Sequence, residues 1–455
     1  MFGFGFQYGK VLGLSIGALL ASVFRKRVIA DGGIMEGEGC VTSELNRLNK
    51  IGILDDVSLA MIPSGYKESK LYSVVPASGD GDLTFTRSTT GTRVNADGLI
   101  ESVAINTPRI DYTGGGCGSL LLEPQRTNLI TYSEDFSNAA WAKNNLTVTN
   151  SASSPDGETN AYKFVPNAAV GNRYLSNAAS LNTSEKTNSF FLKKGELDFV
   201  KIGNAAAVVT VNLNTGALSK STDSINDYLI KEYANGWWRV YIYNKSAVSY
   251  QIQLFVGIDS NGSNIATNGT DGIYVFGAQL DSGSYATSYI PTAGSTVTRT
   301  ADSSSTSGLS SVINSEEGVL YLKSQALFND LTNRTISISD GTANNSVILR
   351  YSSTTQTISA DVIVAGVSQC LMSYAVADVK AIHGIAIRYK VNDFSLWVDG
   401  VERATDASGS TFSASTLDTF AYDNGAGGDS FYGRVSEDVI ADYLTDLEMA
   451  ELTTL

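Results

Sequence analysis

The residues that could do chemistry are few. One histidine, His383, serves the whole chain, so no Ser-His-Asp, Cys-His or multi-histidine zinc site can be assembled from a single copy. It lies in the apolar run 381–387, which predicts a core strand and makes it a satisfied strand residue rather than a ligand or general base. Cys40, Cys117 and Cys370 lie far apart without metal-ligand spacing, and their odd count argues against a disulfide framework. Three small, inert thiols are expected. The run Asp423-Asn-Gly-Ala-Gly-Gly-Asp429 carries the oxygen donors that Ca²⁺ takes, yet a solvated turn is the commoner use of such a run. No metal and no cofactor is assigned. Glycan hydrolysis needs two carboxylates held for acid and for base or nucleophile roles. Acidic residues are numerous, but no clear paired-carboxylate strand stands out. No catalytic residue is assigned, and binding takes precedence over catalysis. One aromatic is a candidate for it. In Phe394-Ser-Leu-Trp-Val398 the alternation puts Phe394, Leu396 and Val398 on one face and Trp397 on the other. An outward tryptophan is a carbohydrate-binding platform, or else it covers a neighbouring loop or subunit.

Such a platform needs sheets beneath it, and the pattern supplies them. From Leu71 to about Ser436 the chain is short runs of alternating apolar and polar residues, broken by Gly, Asn, Asp, Ser and Thr. Trp238-Arg-Val-Tyr-Ile-Tyr243 and Ile273-Tyr-Val-Phe276 are examples. Period two means one buried and one wet face, as in antiparallel sheets. The 43 Gly against 7 Pro indicate turns built on Gly and Asn. Asn95-Ala-Asp-Gly98 and Asp399-Gly400 read as hairpin turns, and Asn235-Gly-Trp-Trp238 as an anchor with one Trp in the core. Helical spacing recurs at 40–51, through Val41, Leu45 and Leu48, and at 445–452.

The amino end differs. Residues 11–24 are apolar and uncharged, bounded by Lys10 and Arg25-Lys-Arg27, which is short for a membrane span and lacks the basic start of a signal peptide. Leu12, Ile16, Leu19 and Val23 are spaced four, three, four, a seam by which a helix joins copies of itself. Gly13 and Gly17 form a second face suited to close helix contact. Self-assembly through this seam is expected, with a membrane anchor as the alternative.

Four motifs carry a resemblance. Phe85-Thr-Arg-Ser-Thr-Thr-Gly-Thr-Arg-Val-Asn-Ala-Asp-Gly-Leu-Ile-Glu101, Pro108-Arg-Ile-Asp-Tyr112, Leu122-Glu-Pro-Gln-Arg-Thr-Asn-Leu129 and Tyr132-Ser-Glu-Asp-Phe-Ser-Asn-Ala-Ala-Trp141 are similar to an ordered series in structural proteins of tailed bacteriophages. The opening 27–33 and 61–66 resembles the version in phages of Bacteroidetes hosts, including crAss-like phages. The ending 275–292 with Thr298-Arg-Thr-Ala-Asp302 resembles the close of their carbohydrate-binding-like jelly roll. The strand order of 304–455 resembles a concanavalin-like lectin/glucanase sandwich. The resemblance implies a virion location, other capsid or tail proteins as partners, a glycan-binding face and a homotrimer. By residue chemistry alone, Arg87, Arg93, Arg109 and Arg126 are expected to pair with Glu101, Asp111 and Glu123 and lock a connector.

At 455 residues and 43% apolar content the chain can fill several cores. Its 32 basic against 46 acidic residues give a net charge of −14, which opposes nucleic-acid binding. The predicted architecture is mainly β: two tandem antiparallel β-sandwiches, a jelly roll and then a concanavalin-like one, after a short α-helical amino-terminal anchor. The predicted boundaries are 1–60 for the docking helices, 61–130 for a β-rich connector, 131–303 for the jelly roll and 304–455 for the second sandwich. The function expected is a phage surface fibre, on head or tail, that adheres to host glycans. A tailspike polysaccharide depolymerase and a membrane-anchored surface lectin are the alternatives.

Overall fold

The computed structural model describes residues 15–168, 171–179, 185–204, 207–220, 227–244 and 252–455. The protein is mainly β, its strands antiparallel throughout the named sheets, with three α-helices among the described residues. It divides into two compact units, and the division does not follow the chain in order. The first unit comprises the residues up to Ser88, Ala104–Glu123 and Asp302–Leu455. The second comprises Thr89–Val103 and Pro124–Ala301.

The first unit is a sandwich of two sheets. One runs from Ile34–Met35 at one edge, through Leu83–Thr86, Ser303–Thr306 and Arg334–Ser339, to Val367–Ala375 at the other. The second runs from Val401–Asp406 through Asp393–Val398, His383–Lys390, Gly318–Ala326 and Gly433–Ala441 to Ser119–Leu122 and Ile110–Asp111. The alternation predicted from sequence places Ile336, Ile338, Leu349, Leu320, Leu322, Ile385, Ile387 and Leu396 in the shared core, all at 1% exposure or less. The expected connector is not a separate body. Leu83–Thr86 pairs with Ser303–Thr306, and Ser119–Leu122 pairs with Gly433–Ala441. A sequence reading cannot see these pairings, because the partner strands are some two to three hundred residues away.

Helix α1 (Ile16–Ala30), helix α2 (Glu38–Lys50) and helix α3 (Asp446–Thr453) belong to this unit. Two of them, α1 and α3, start at a capping side chain. The Ser15 side chain accepts from the Ala18 N–H, and Thr445 with Glu448 forms a capping box. In α2 the expected stripe Val41, Leu45 and Leu48 is fully buried. Gly17 does hold a close helix contact, but with α2. A Cβ there would come within 2.7 Å of the Thr42 carbonyl oxygen, and the Gly17 N–H donates to Asn46 Oδ1 at 3.1 Å. Gly13 and Leu12 lie outside the described residues. No helix among the described residues is long and apolar enough to cross a membrane. Cys40 on α2 is joined by a disulfide to Cys117, contrary to the expectation of three inert thiols. The odd count misled because the leftover Cys370 is simply a buried core residue.

The second unit is also a sandwich. Trp141–Asn144, Tyr174–Asn177, Ile252–Val256, Phe199–Asn204, Ala207–Asn212 and Leu218–Lys220 form one sheet. Leu146–Ala152, Ala161–Pro166, Ile273–Ser282, Lys186–Lys194, Trp237–Asn244 and Asp227–Tyr233 form the other. Leu175, Ile202 and Leu254 from the first meet Phe190, Leu192, Val240, Ile242 and Val275 from the second. The predicted hairpin at 95–98 joins Gly91–Val94 to Ile100–Val103, with Gly98 at φ +78° and Asn95 Oδ1 accepting from the Asp97 and Leu99 N–H groups. It belongs to this unit rather than to a connector.

Candidate functional site

The aromatic nominated from sequence is not a platform. Trp397 does point away from the sandwich core, as its parity requires. The solvent side of that sheet is covered, however, and Trp397 packs with Ala386, Val439, Met449 and Leu452 at 5% exposure, two of these coming from α3. Its indole N–H donates to Ser395 Oγ at 2.9 Å. Trp397→Ala is therefore expected to lower stability by about 3–5 kcal/mol without altering sugar binding, which thermal unfolding beside a glycan-retention assay would measure. His383 is the satisfied strand residue expected. Its Nδ1 lies 2.8 Å from Asp399 Oδ2, and its Nε2 lies 3.0 Å from the Asp378 carbonyl oxygen. In the 423–429 loop, Asp423 Oδ1 accepts from the Gly425 and Gly427 N–H groups, the work of a turn. No group of three or more His, Cys, Asp or Glu suited to a metal occurs among the described residues.

Two neighbouring carboxyls have the raised pKa that often marks a catalytic acid. Burial pushes Glu437 up to about 7 and Asp438 up to about 8. Alternation sends them to opposite faces of Gly433–Ala441. Glu437 meets Arg47 of α2, with Oε2 2.6 Å from Nη2. Asp438 enters the core and accepts from the Tyr422 hydroxyl at 2.5 Å. Both are fully buried, so neither can reach a glycosidic bond.

The motif arginines converge. Arg87, Arg109, Glu123 and Asp302 form one buried ionic knot in the first unit. Arg87 Nη1 donates to Asp302 Oδ1 at 3.1 Å, Arg109 Nη1 to Glu123 Oε2 at 2.7 Å, and Arg109 Nη2 to Asp302 Oδ2. Arg87 also donates to the carbonyls of Ala104 and Thr107, and the Glu123 N–H donates to Asp302 Oδ2 at 2.8 Å. The expected pairs Arg109–Glu123 and Arg93–Glu101 are present. Asp111 instead pairs with Arg434, and Arg126 stacks over Tyr285 at 5.2 Å. Asp302, at the end of Thr298-Arg-Thr-Ala-Asp302, is the partner that residue chemistry alone does not supply.

The open aromatic surface lies in the second unit. On Trp237–Asn244, Val240 and Ile242 enter the core, so Arg239, Tyr241 and Tyr243 share the opposite face. Pairing extends that face into rows. Tyr243 stands beside Thr187 and then Asp281, while Tyr241 lies between Leu229 on one side and Ser189 and Gln279 on the other. The half nearer Ile273–Ser282 is covered: Phe191, Phe276 and Tyr289 stack edge-on or tilted, with centroids within 6 Å. The other half is open, with Tyr241 and Tyr243 half-buried and Leu229 59% exposed. Arg239 is buried behind Tyr241, its guanidinium 4.9 Å from that ring and from the Phe191 ring. Tyr243 donates to Glu185 Oε1 at 3.1 Å. Asp281, its carboxyl pushed up to about 6 by burial, accepts from the Gln279 amide at 2.7 Å. Aromatic rings on a rigid strand beside polar groups form a surface suited to a sugar. Trp238-Arg-Val-Tyr-Ile-Tyr243 already displayed this alternation in the sequence. As expected, one of the two tryptophans, Trp237, is fully buried.

No family model matches the chain, and no curated protein matches it. Similar solved structures include the carbohydrate-binding module of a Ruminococcus gnavus sialidase bound to α2,3-sialyllactose, at 15% identity over 31% of this chain and 83% of that one, with a TM-score of 0.27. Mouse laminin α1 domains LG4–5 match at 11% identity over 59% and 84%, TM-score 0.20. A Trypanosoma rangeli sialidase in complex with sialic acid matches at 9% over 82% and 76%, TM-score 0.24.

Proposed function

We propose that this chain is a glycan-adhesion protein displayed on a bacteriophage virion as a head or tail fibre, binding its glycan without cleaving it. The observation that carries the adhesion reading is the open Tyr241–Tyr243 face on a rigid sheet. The virion assignment rests on the four motifs, three of which, with Thr298-Arg-Thr-Ala-Asp302, each contribute one charged residue to one buried knot. Glu437 and Asp438, the neighbouring carboxyls with raised pKa, are buried and out of reach of a glycan. Weak contacts made by each copy would add through multivalency. Two measurements test this reading: mass spectrometry of purified virions, and competition by the purified chain against phage adsorption. Virions without the chain, or adsorption indifferent to it, would overturn it.

Assembly of the copies, as a homotrimer seated on capsid or tail proteins, is assigned to α1. Its inward face, Gly17, Ala21, Phe24 and Val28, is spent within the chain. Ile16 is half-buried, while Leu19 and Val23 are 38% and 42% exposed, leaving the seam available to a partner. Leu19→Asp with Val23→Asp is expected to reduce the mass measured by light scattering to that of one chain. An unchanged mass removes the seam from assembly.

A further inference from the structure

We propose that Tyr241 and Tyr243 bind a linear chain of neutral pyranose units. This inference rests on the adhesion reading and names its ligand class. Residues two apart on a strand present their side chains about 7 Å apart on one face, enough for successive sugar rings to lie on successive tyrosines. A tyrosine offers an apolar ring and a polar tip and loses little conformational entropy when it is covered. Both rings are held in advance. Arg239 stands behind Tyr241 and is itself fixed by Ser189 Oγ, the Thr287 carbonyl and Gln279 Oε1. Tyr243 is tied to Glu185. Such preorganisation lowers the ordering cost of binding. The hydroxyl of Tyr241 has no hydrogen-bond partner among the described residues and is left to a sugar hydroxyl.

Charge decides between neutral and acidic sugars. A carboxylated sugar calls for a cation with donors to spare. Arg239 is 1% exposed and its donors are engaged within the chain. Lys231, opposite Arg239 in the register, is itself engaged. Asp281 on the same face is buried and faces Arg126, Arg239 and Arg299, so these charges too are spent within the chain. An acidic chain would find Arg239 and Lys231 already engaged, whereas a neutral one needs only stacking and hydroxyl contacts.

The test uses the full chain in affinity gels containing neutral mannan, laminarin or dextran, and anionic polygalacturonate or sialylated mucin. Retention by at least one neutral polymer and by neither anionic one is expected. Tyr241→Ala with Tyr243→Ala should weaken that retention about tenfold or more, and Tyr241→Phe a few-fold. Both residues are partly exposed, so the thermal transition should hold, and a collapsed transition would itself show that the rings are structural and overturn the assignment. Retention that survives in the double variant, or that favours the anionic polymers, overturns the site and its ligand class while leaving adhesion standing. A chain retained by no polymer overturns the adhesion reading and this inference together.

Discussion

Asp302→Ala is expected to destabilise the first unit by about 3–5 kcal/mol, because it removes one of the two carboxylates that balance two buried guanidinium groups. Asp302 answers Arg87 through Oδ1 and Arg109 through Oδ2, and it accepts the Glu123 N–H as well. All four side chains of the knot are at most 3% exposed. Removing one carboxylate therefore leaves two buried guanidinium groups with Glu123 as the one carboxylate of the knot, so one positive charge is uncompensated where water does not reach. The arrangement also explains why the loss is structural. Ser88, Ala104, Glu123 and Asp302 are the residues at which the first unit's chain segments end or begin. The knot holds the chain at or next to each of them, through Arg87, the Ala104 carbonyl, Glu123 and Asp302 itself. Urea unfolding measures the loss, and hydrogen exchange locates it. Amides of Leu83–Thr86 and Ser303–Thr306 should lose protection, while those of Lys186–Lys194 in the second unit keep theirs. Asp302→Asn, which preserves shape and one acceptor, should lie between the variant and the parent. Equal protection in parent and alanine variant would show that the knot does not hold these strands.

The knot also shows what the sequence could and could not convey. The charged motif residues were visible, and two of the anticipated pairs form. Their convergence was not visible, because Asp302 lies 215 residues from Arg87 and 193 from Arg109. Short-range alternation gave the strands, and the helical stretches read at 40–51 and 445–452 lie within two residues of α2 and α3. The interleaving of two units was hidden for the same reason as the knot: strand pairing at long range leaves no local pattern. Trp397 marks a subtler limit. Period two correctly assigns a side chain to a face, but it says nothing of what else lies on that face. The same rule places Trp397 beneath α3 and leaves Tyr241 half-exposed. Exposure of an outward aromatic is therefore a property of the tertiary cover, and only the helix stretch at 445–452 hinted at that cover.

Asp438 carries the second large prediction, a loss of stability as pH rises. Burial is the first cause of its elevated pKa, with the neighbouring Glu437 charge adding to it and the Tyr422 hydrogen bond only partly opposing. In the unfolded chain an aspartate loses its proton near 3.9; in the fold it keeps the proton until about 8. Between those values the native state binds more protons than the unfolded state, so unfolding becomes easier as pH increases. Stability from this group is full below the unfolded value and is progressively lost across the window up to the folded one. Glu437 adds a slope of the same sign up to about 7. The sum is on the order of a few kcal/mol between pH 5 and 8, opposite to the usual behaviour of an ion-paired carboxylate. Asp438→Asn keeps an acceptor for the Tyr422 hydroxyl and a neutral group among Leu322, Met61 and the other core residues paired with it. It should match the parent near pH 5, exceed it at pH 8, and flatten the dependence between. Chemical denaturation at stepped pH reads both curves. A parent that gains stability from pH 5 to 8, or a variant with the parent's slope, would show that Asp438 is already ionised within the core.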